Sequence, residues 1–323
     1  MFPVFREEQR MQLRSLPTLE PVRLSQPAPT RFSHFLALIR PTFWLVPIWA
    51  LLCGVLASGE IPSTLNSFLR IALAVLLVGP ILGSAFQLLR SFFERDLDAI
   101  NFPFKPLPTG TISLDRVVAL AAFALIGGLF LAQLLGPVAF GLCAFAVLLN
   151  LILDAPPVQL RRNSWISPLA CALTTVGLPW ILGQSLFASL SVPSLVVPGI
   201  FAFGYIGIDL FFALPHIEHD RRVEIRSLVA VFGKEVGIGI ASLLIDTALL
   251  GATILCLGSK SLVVSGFLLT TLILQIVLQV ALFATLGKNE KKTDWHLPIA
   301  SVLFGVAMML AAAVSCLAPT IHL

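Results

Sequence analysis

The chain has 323 residues, of which 57% are hydrophobic and 12% charged, and its mean hydropathy is +0.95. An ordinary soluble protein carries about 25% charged residues, so this composition excludes a soluble globular enzyme, a disordered chain and a nucleic-acid-binding domain. The 21 Lys+Arg against 17 Asp+Glu are too evenly balanced to form a phosphate-tracking patch, which leaves a polytopic helical membrane protein.

Residues 1–40 are polar, Pro-containing and basic, with Arg6, Arg10, Arg14, Arg23, Arg31 and Arg40. They lack the continuous apolar stretch of a signal peptide and read as a loosely ordered cytoplasmic tail. Residues 41–323 read as the membrane domain. A spanning helix needs about 20 mostly apolar residues. Candidates lie at 43–58, 67–89, 117–135, 137–153, 167–187, 194–215, 237–257, 261–286 and 297–317, which makes nine. Leu135-Gly136-Pro137 is so short a link that the third and fourth spans should form an antiparallel hairpin. All Lys and Arg except Arg70 and Lys260 fall in the tail or in the loops after the second, fourth, sixth and eighth spans. The positive-inside rule then puts the N-terminus and these loops in the cytoplasm and the C-terminus on the opposite side. Cys53, Cys143, Cys171, Cys256 and Cys316 sit inside apolar runs and read as small hydrophobes, with no metal or disulfide spacing.

Acids cluster in two of the cytoplasmic loops. After the second span come Arg90, Glu94, Arg95, Asp96, Asp98 and Lys105; after the sixth come His216, Glu218, His219, Asp220, Arg221 and Arg222. If the second span continues as helix, Glu94 and Asp98 share a face one turn apart. Two such carboxylates at a membrane surface could hold Mg²⁺ shared with a substrate phosphate.

Several stretches resemble the UbiA-type intramembrane prenyltransferases, and within them the chlorophyll and bacteriochlorophyll synthase branch. They are Leu38-Ile-Arg-Pro41 through Trp49 to Gly54, Asp98-Ala-Ile-Asn101 with Lys105-Pro-Leu-Pro-Thr-Gly110, Ala155-Pro-Pro157 to Arg162, Gly177-Leu-Pro-Trp180, and Asp220-Arg221 before Ser227-Leu228. The resemblance implies an all-α fold of nine transmembrane helices around a central apolar cavity, in an inner or photosynthetic membrane. It also implies transfer of an isoprenoid from its diphosphate to a lipophilic acceptor, in this branch the propionate carboxylate of a chlorophyllide. Mg²⁺ would stabilise the departing diphosphate. Carried over by position, the resemblance makes Asp98 and Asp220 the catalytic acids. Arg95, Lys105 and Arg221 become diphosphate contacts and Glu94, Asp98, Glu218 and Asp220 metal ligands; Arg90 as a diphosphate contact and Asp209 as a further metal ligand are candidates that depart from the family pattern.

The sequence also departs from the family pattern. Where the first motif reads Asn-Asp-x-x-Asp-x-x-x-Asp, this chain has Arg90, Ser91, Glu94 and Asp98. Phe212, Ala213, Leu214 and Pro215 replace the start of the second motif, His219 stands for a Gly, and Leu153 for a Tyr. Two readings stay open: Arg90, Glu94 and Asp98 form an ion-pair ladder, or Arg90 and Lys105 bind diphosphate directly with fewer ions. Asp209, one turn before Ala213, either supplies the missing carboxylate or bonds a neighbouring helix. Asp246 reads as structural, His216 and His219 as an interfacial face or as ligands, and Trp44, Trp49, Trp165, Trp180 and Trp295 as an interface belt, with Trp180 alternatively facing the cavity. Beside the transferase stand two other functions. One is a catalytically lapsed homologue that binds pigment or lipid, or assists assembly, in a photosynthetic membrane complex. The other is a UbiA-type cyclase that uses no acceptor.

Overall fold

A computed structural model describes residues 31–60, 62–217, 228–259, 261–285 and 296–317. Among the described residues all regular structure is helical, as lipid demands of backbone that must satisfy its own hydrogen bonds. Among the described residues nine helices are long and apolar enough to cross a membrane: Ser33–Ala57, Leu65–Phe93, Leu114–Leu135, Pro137–Asp154, Ile166–Ser185, Pro193–Ala213, Lys234–Gly258, Leu262–Ala284 and His296–Ser315. They are the first to ninth spans below.

The first span starts earlier than its apolar run. Arg31–Ile39 is helical, where a loose tail was expected; the tail before it lies outside the described residues. Arg40 breaks the helix in the left-handed region (φ 45°), because Pro41 disfavours the α region for the residue before it. A single turn, Pro41–Trp44, then leads into Leu45–Ala57. The expected hairpin forms at Gly136, whose φ of 131° suits only glycine, with Pro137 opening the next helix.

The second and fifth spans each contain a wide π-turn, at Leu77–Gly83 around Pro80 and at Leu173–Gly177 before Pro179. Proline lacks an N–H and crowds the carbonyl four residues back, and the extra residue per turn relieves both. The second span does not continue as one helix through both acids. It ends at Phe93, Glu94 takes φ −89° and ψ 2°, and a short helix resumes at Arg95–Asn101.

Small residues let the spans approach closely, as lipid-embedded packing requires. A Cβ on Gly54 would lie 1.9 Å from the Trp180 carbonyl oxygen, and one on Gly183 2.0 Å from that of Leu51, so the first and fifth spans cross backbone to backbone. That crossing buries Trp180 completely, stacked on Phe201 at 5.7 Å. Trp180 is therefore core, neither interface belt nor cavity wall. Trp49 donates to the Gly305 carbonyl at 2.9 Å and ties the first span to the ninth, while Trp165 is exposed at the start of the fifth. Trp295 lies outside the described residues. Asp246 accepts from Gln279 at 3.0 Å, in line with its structural reading.

Candidate active site

Between the first, second, fourth, fifth and sixth spans lies a cavity of about 310 Å³. Its depth is apolar, with Val46, Leu82, Phe86, Leu142 and Leu182 among its walls. Both π-turns open onto it, through Val78, Leu82 and Gly83 on one side and Thr174 and Thr175 on the other. Such turns push residues out of helical register and recur at functional sites.

The polar end is organised by a chain of ion pairs. Arg90, in the last turn of the second span, donates from Nε to both Glu94 oxygens at 3.0 and 3.1 Å. Arg161 donates from Nε to Asp154 and stands 3.9 Å from Glu94, so the order across the mouth is Arg90, Glu94, Arg161, Asp154. Its Nη1 also lies 3.7 Å from the Cys171 sulfur. Arg161 reaches inward because the loop after the fourth span doubles back through Gln159, left-handed at φ 40°, into the turn Leu160–Arg162. Burial pushes the Glu94 carboxyl up, but the Arg90 and Arg161 guanidiniums, with Lys105 beyond them, outweigh it and hold the group below its ordinary value. Burial likewise opposes charge on Arg161, and its neighbours Cys171, Asp154 and Glu94 overcome it, so the guanidinium is more firmly protonated than usual.

Of the expected site residues, Arg90 and Asp209 line the cavity. Asp209 sits one turn from Tyr205, the chain's single tyrosine, on the same wall, and its charged neighbours there are Arg161 and Arg90. Asp98 is buried just outside, held by Lys105 Nζ at 2.6 Å, and Lys105 also caps the Phe102 ring at 4.5 Å. The expected ladder therefore stops after one rung: Arg90 takes Glu94, and Lys105 takes Asp98. Arg95 turns away, paired with Asp96 at 3.3 Å on a separate surface groove that includes Pro108 and Ser113. Glu218, His219, Asp220 and Arg221 lie outside the described residues, as does the side chain of His216. Among the described residues no group of three His, Cys, Asp or Glu could hold a metal ion. At the mouth, Glu94, Asp98 and Asp154 each carry a basic partner.

Sequence reasoning passed over Arg161, Asp154 and Arg40. Arg40 shares its electrostatic neighbourhood with Arg90, Glu94 and Asp98, and its guanidinium lies 4.4 Å over the ring of Phe43, a cavity residue. For Arg161 there was a usable signal. Asp98-Ala, in the short helix Arg95–Asn101, and Asp154-Ala, at the end of Pro137–Asp154, are each followed seven residues after the acid, past a proline, by the base that bonds it. Cys171, expected to be a plain hydrophobe, faces the cavity. Cys53, Cys143 and Cys256 are buried and free, as expected, and the side chain of Cys316 lies outside the described residues.

The sequence pattern of the UbiA prenyltransferase family matches residues 45–302. Chlorophyll synthase of Avena sativa is 33% identical over 255 residues, covering 77% of this chain and 68% of that protein. The matched stretch is 55% of the Oryza sativa chlorophyll synthase, so the plant relatives extend beyond it. The 33 kDa chain of bacteriochlorophyll synthase from Cereibacter sphaeroides is 31% identical over 281 residues, covering 86% of this chain and 91% of that one; its Rhodobacter capsulatus counterpart is 31% identical over 311 residues, covering 91% and 96%. Among solved structures, a UbiA homolog from Archaeoglobus fulgidus bound to GPP and Mg²⁺ superposes with TM-score 0.68 at 17% identity, covering 87% of this chain and 99% of that chain. At that identity the likeness concerns the fold.

Proposed function

We infer the activity from one premise: the chain belongs to the UbiA prenyltransferase family. It is a membrane prenyltransferase that moves an isoprenoid from its diphosphate onto a lipophilic acceptor. The acceptor we propose is a chlorophyllide or bacteriochlorophyllide, as the names of the relatives at 31–33% identity suggest. A homologue that kept the scaffold and lost turnover is not favoured, because those synthases match over most of this chain.

The observation that carries the reading is a largely apolar cavity with two guanidiniums, those of Arg90 and Arg161, in its wall. The prenyl tail takes the apolar depth, and Arg90 and Arg161 face its diphosphate. The walls keep water from the allylic carbon as its bond to oxygen weakens. A carboxylate oxygen of the acceptor bonds to C1 of the prenyl group, the C1–O bond to diphosphate breaks, and the electron pair leaves on inorganic diphosphate. A propionate is already ionised at neutral pH, so this transfer needs no general base to prepare the nucleophile. Lys105 and Glu94 position their partners at the edge of the site. Asp98 and Asp220 remain the proposed facing acids, with Glu218 and Arg221 beside Asp220, and Asp209 is a further candidate ligand from the cavity wall.

Mg²⁺ is the metal this reading calls for, and when bound it would neutralise charge on the departing diphosphate. The described residues do not make a metal site by themselves. We place the mouth and N-terminus on the cytoplasmic side from the loop charges. Subunits of a photosynthetic membrane complex stay proposed partners.

The test is a membrane extract containing the chain, supplied with chlorophyllide or bacteriochlorophyllide, Mg²⁺ and geranylgeranyl or phytyl diphosphate. Esterified pigment, separated by chromatography and absent from control membranes, is the expected result. No ester with either donor and either tetrapyrrole overturns the acceptor assignment.

A further inference from the structure

The two guanidiniums at the mouth are held in a way that leaves them facing the cavity. Arg90 meets its carboxylate through Nε, and so does Arg161. Both Nε atoms approach the same Glu94 oxygen, at 3.0 and 3.9 Å, so the two forks stand side by side. Both residues line the cavity. Pairing through Nε leaves terminal amino groups as the part able to meet an anion: four N–H donors on Arg90, and on Arg161 those that Nη1 does not give to the Cys171 sulfur. The carboxylates behind them fix their direction. Among the described residues Asp209 is the only acid in the cavity wall, where it stands with Arg90 and Arg161. Glu94 has both oxygens on Arg90 and one of them near Arg161, so a metal ion using it would share the carboxylate with two guanidiniums.

We propose that Arg90 and Arg161 form a paired clamp that takes the diphosphate directly, with no metal ion between clamp and phosphate, and that Glu94 positions Arg90 and is not a metal ligand. The proposal rests on the prenyl-diphosphate reading of the cavity given above. Guanidinium forks match phosphate oxygens bidentately, and in a low-dielectric mouth such charge-assisted bonds are strong. This half of the site therefore holds donor without a divalent cation, whatever the Asp220 segment contributes.

The experiment is calorimetric titration of the full chain in lipid nanodiscs with geranylgeranyl S-thiolodiphosphate, an analogue that does not transfer its prenyl group, in EDTA and in Mg²⁺. Wild type is expected to bind in EDTA, and Arg90→Gln to bind about 10- to 100-fold more weakly there, the range for losing charged hydrogen bonds. Arg90→Gln combined with Glu94→Gln is expected to be no weaker than Arg90→Gln alone, because Glu94 acts through Arg90; additive losses overturn that role. If Arg90→Gln does not fold, Arg90→Lys replaces it, keeping the charge and losing the fork, and should still bind measurably more weakly than wild type. Wild type that binds only with Mg²⁺ overturns the clamp and leaves the transferase reading standing. Either variant binding like wild type in EDTA also overturns it. Wild type that binds in neither condition overturns the clamp and the donor assignment together.

Discussion

Asp154→Asn is the sharpest test of how the mouth is built. The substitution keeps the side chain's shape and removes the charge that meets Arg161. The Asp154 side chain is 3% exposed and that of Arg161 20%, so the guanidinium stays largely buried after losing its partner. Breaking one half of a buried ion pair costs roughly 3–5 kcal/mol. Glu94, 3.9 Å from the same Nε, takes up part of that charge, so we expect about 2–3 kcal/mol, below that range. Arg161→Gln alone should also destabilise, and the double variant, with two neutral amides facing each other, should recover a coupling of about 1.5–3 kcal/mol. Equilibrium unfolding in mixed micelles, followed by intrinsic tryptophan fluorescence with Trp180 as a core reporter, measures all four proteins. A coupling under about 0.5 kcal/mol, the size of ordinary non-additivity, would refute the claim that this pair anchors Arg161 at the cavity.

Three further outcomes are expected. Gly183→Ala drives a methyl group into the Leu51 carbonyl, 2.0 Å away, and should cost about 1–3 kcal/mol or more; Gly127→Ala, where nothing lies within 4 Å, should be neutral or stabilising, and equal effects in thermal melts would contradict the close crossing. Glu94 is held below its ordinary value by Arg90 and Arg161 against the opposing effect of burial. Its contribution is thus complete above about pH 4.3, the unfolded value, and is lost as pH falls through the lower native one. Glu94→Gln should therefore flatten the acid limb of the stability profile below about pH 4, and an unchanged limb would count against the pairing. Asp209→Asn removes the acid facing the two guanidiniums and should tighten binding of the thiolodiphosphate in EDTA; weaker binding would mean that Asp209 organises the clamp.

The spans were legible because each apolar run of about 20 residues must close its own hydrogen bonds in lipid, and only a helix does so within one segment. Gly136-Pro137 announced its hairpin for an equally local reason, since the turn requires a backbone that glycine alone adopts readily. The family resemblance, too, was local: short strings such as Asp98 to Gly110 and Gly177 to Trp180.

Direction was what tertiary structure decided. Helical spacing placed Glu94 and Asp98 on one face, but the break at Glu94 lets two different bases take them, and Arg95, one residue on, points to another groove. Trp180 sits beside a cavity residue, Pro179, yet is core, because two glycines bring the first and fifth spans into backbone contact over it. Arg161 reads as one more loop cation until the loop folds back and Asp154 and Glu94 hold it at the cavity. Hydrophobicity and turn chemistry act within a few residues and so leave their mark on a single sequence. Which charge faces the cavity depends on how separate helices pack and where a helix breaks, and that depends on residues far apart in the chain.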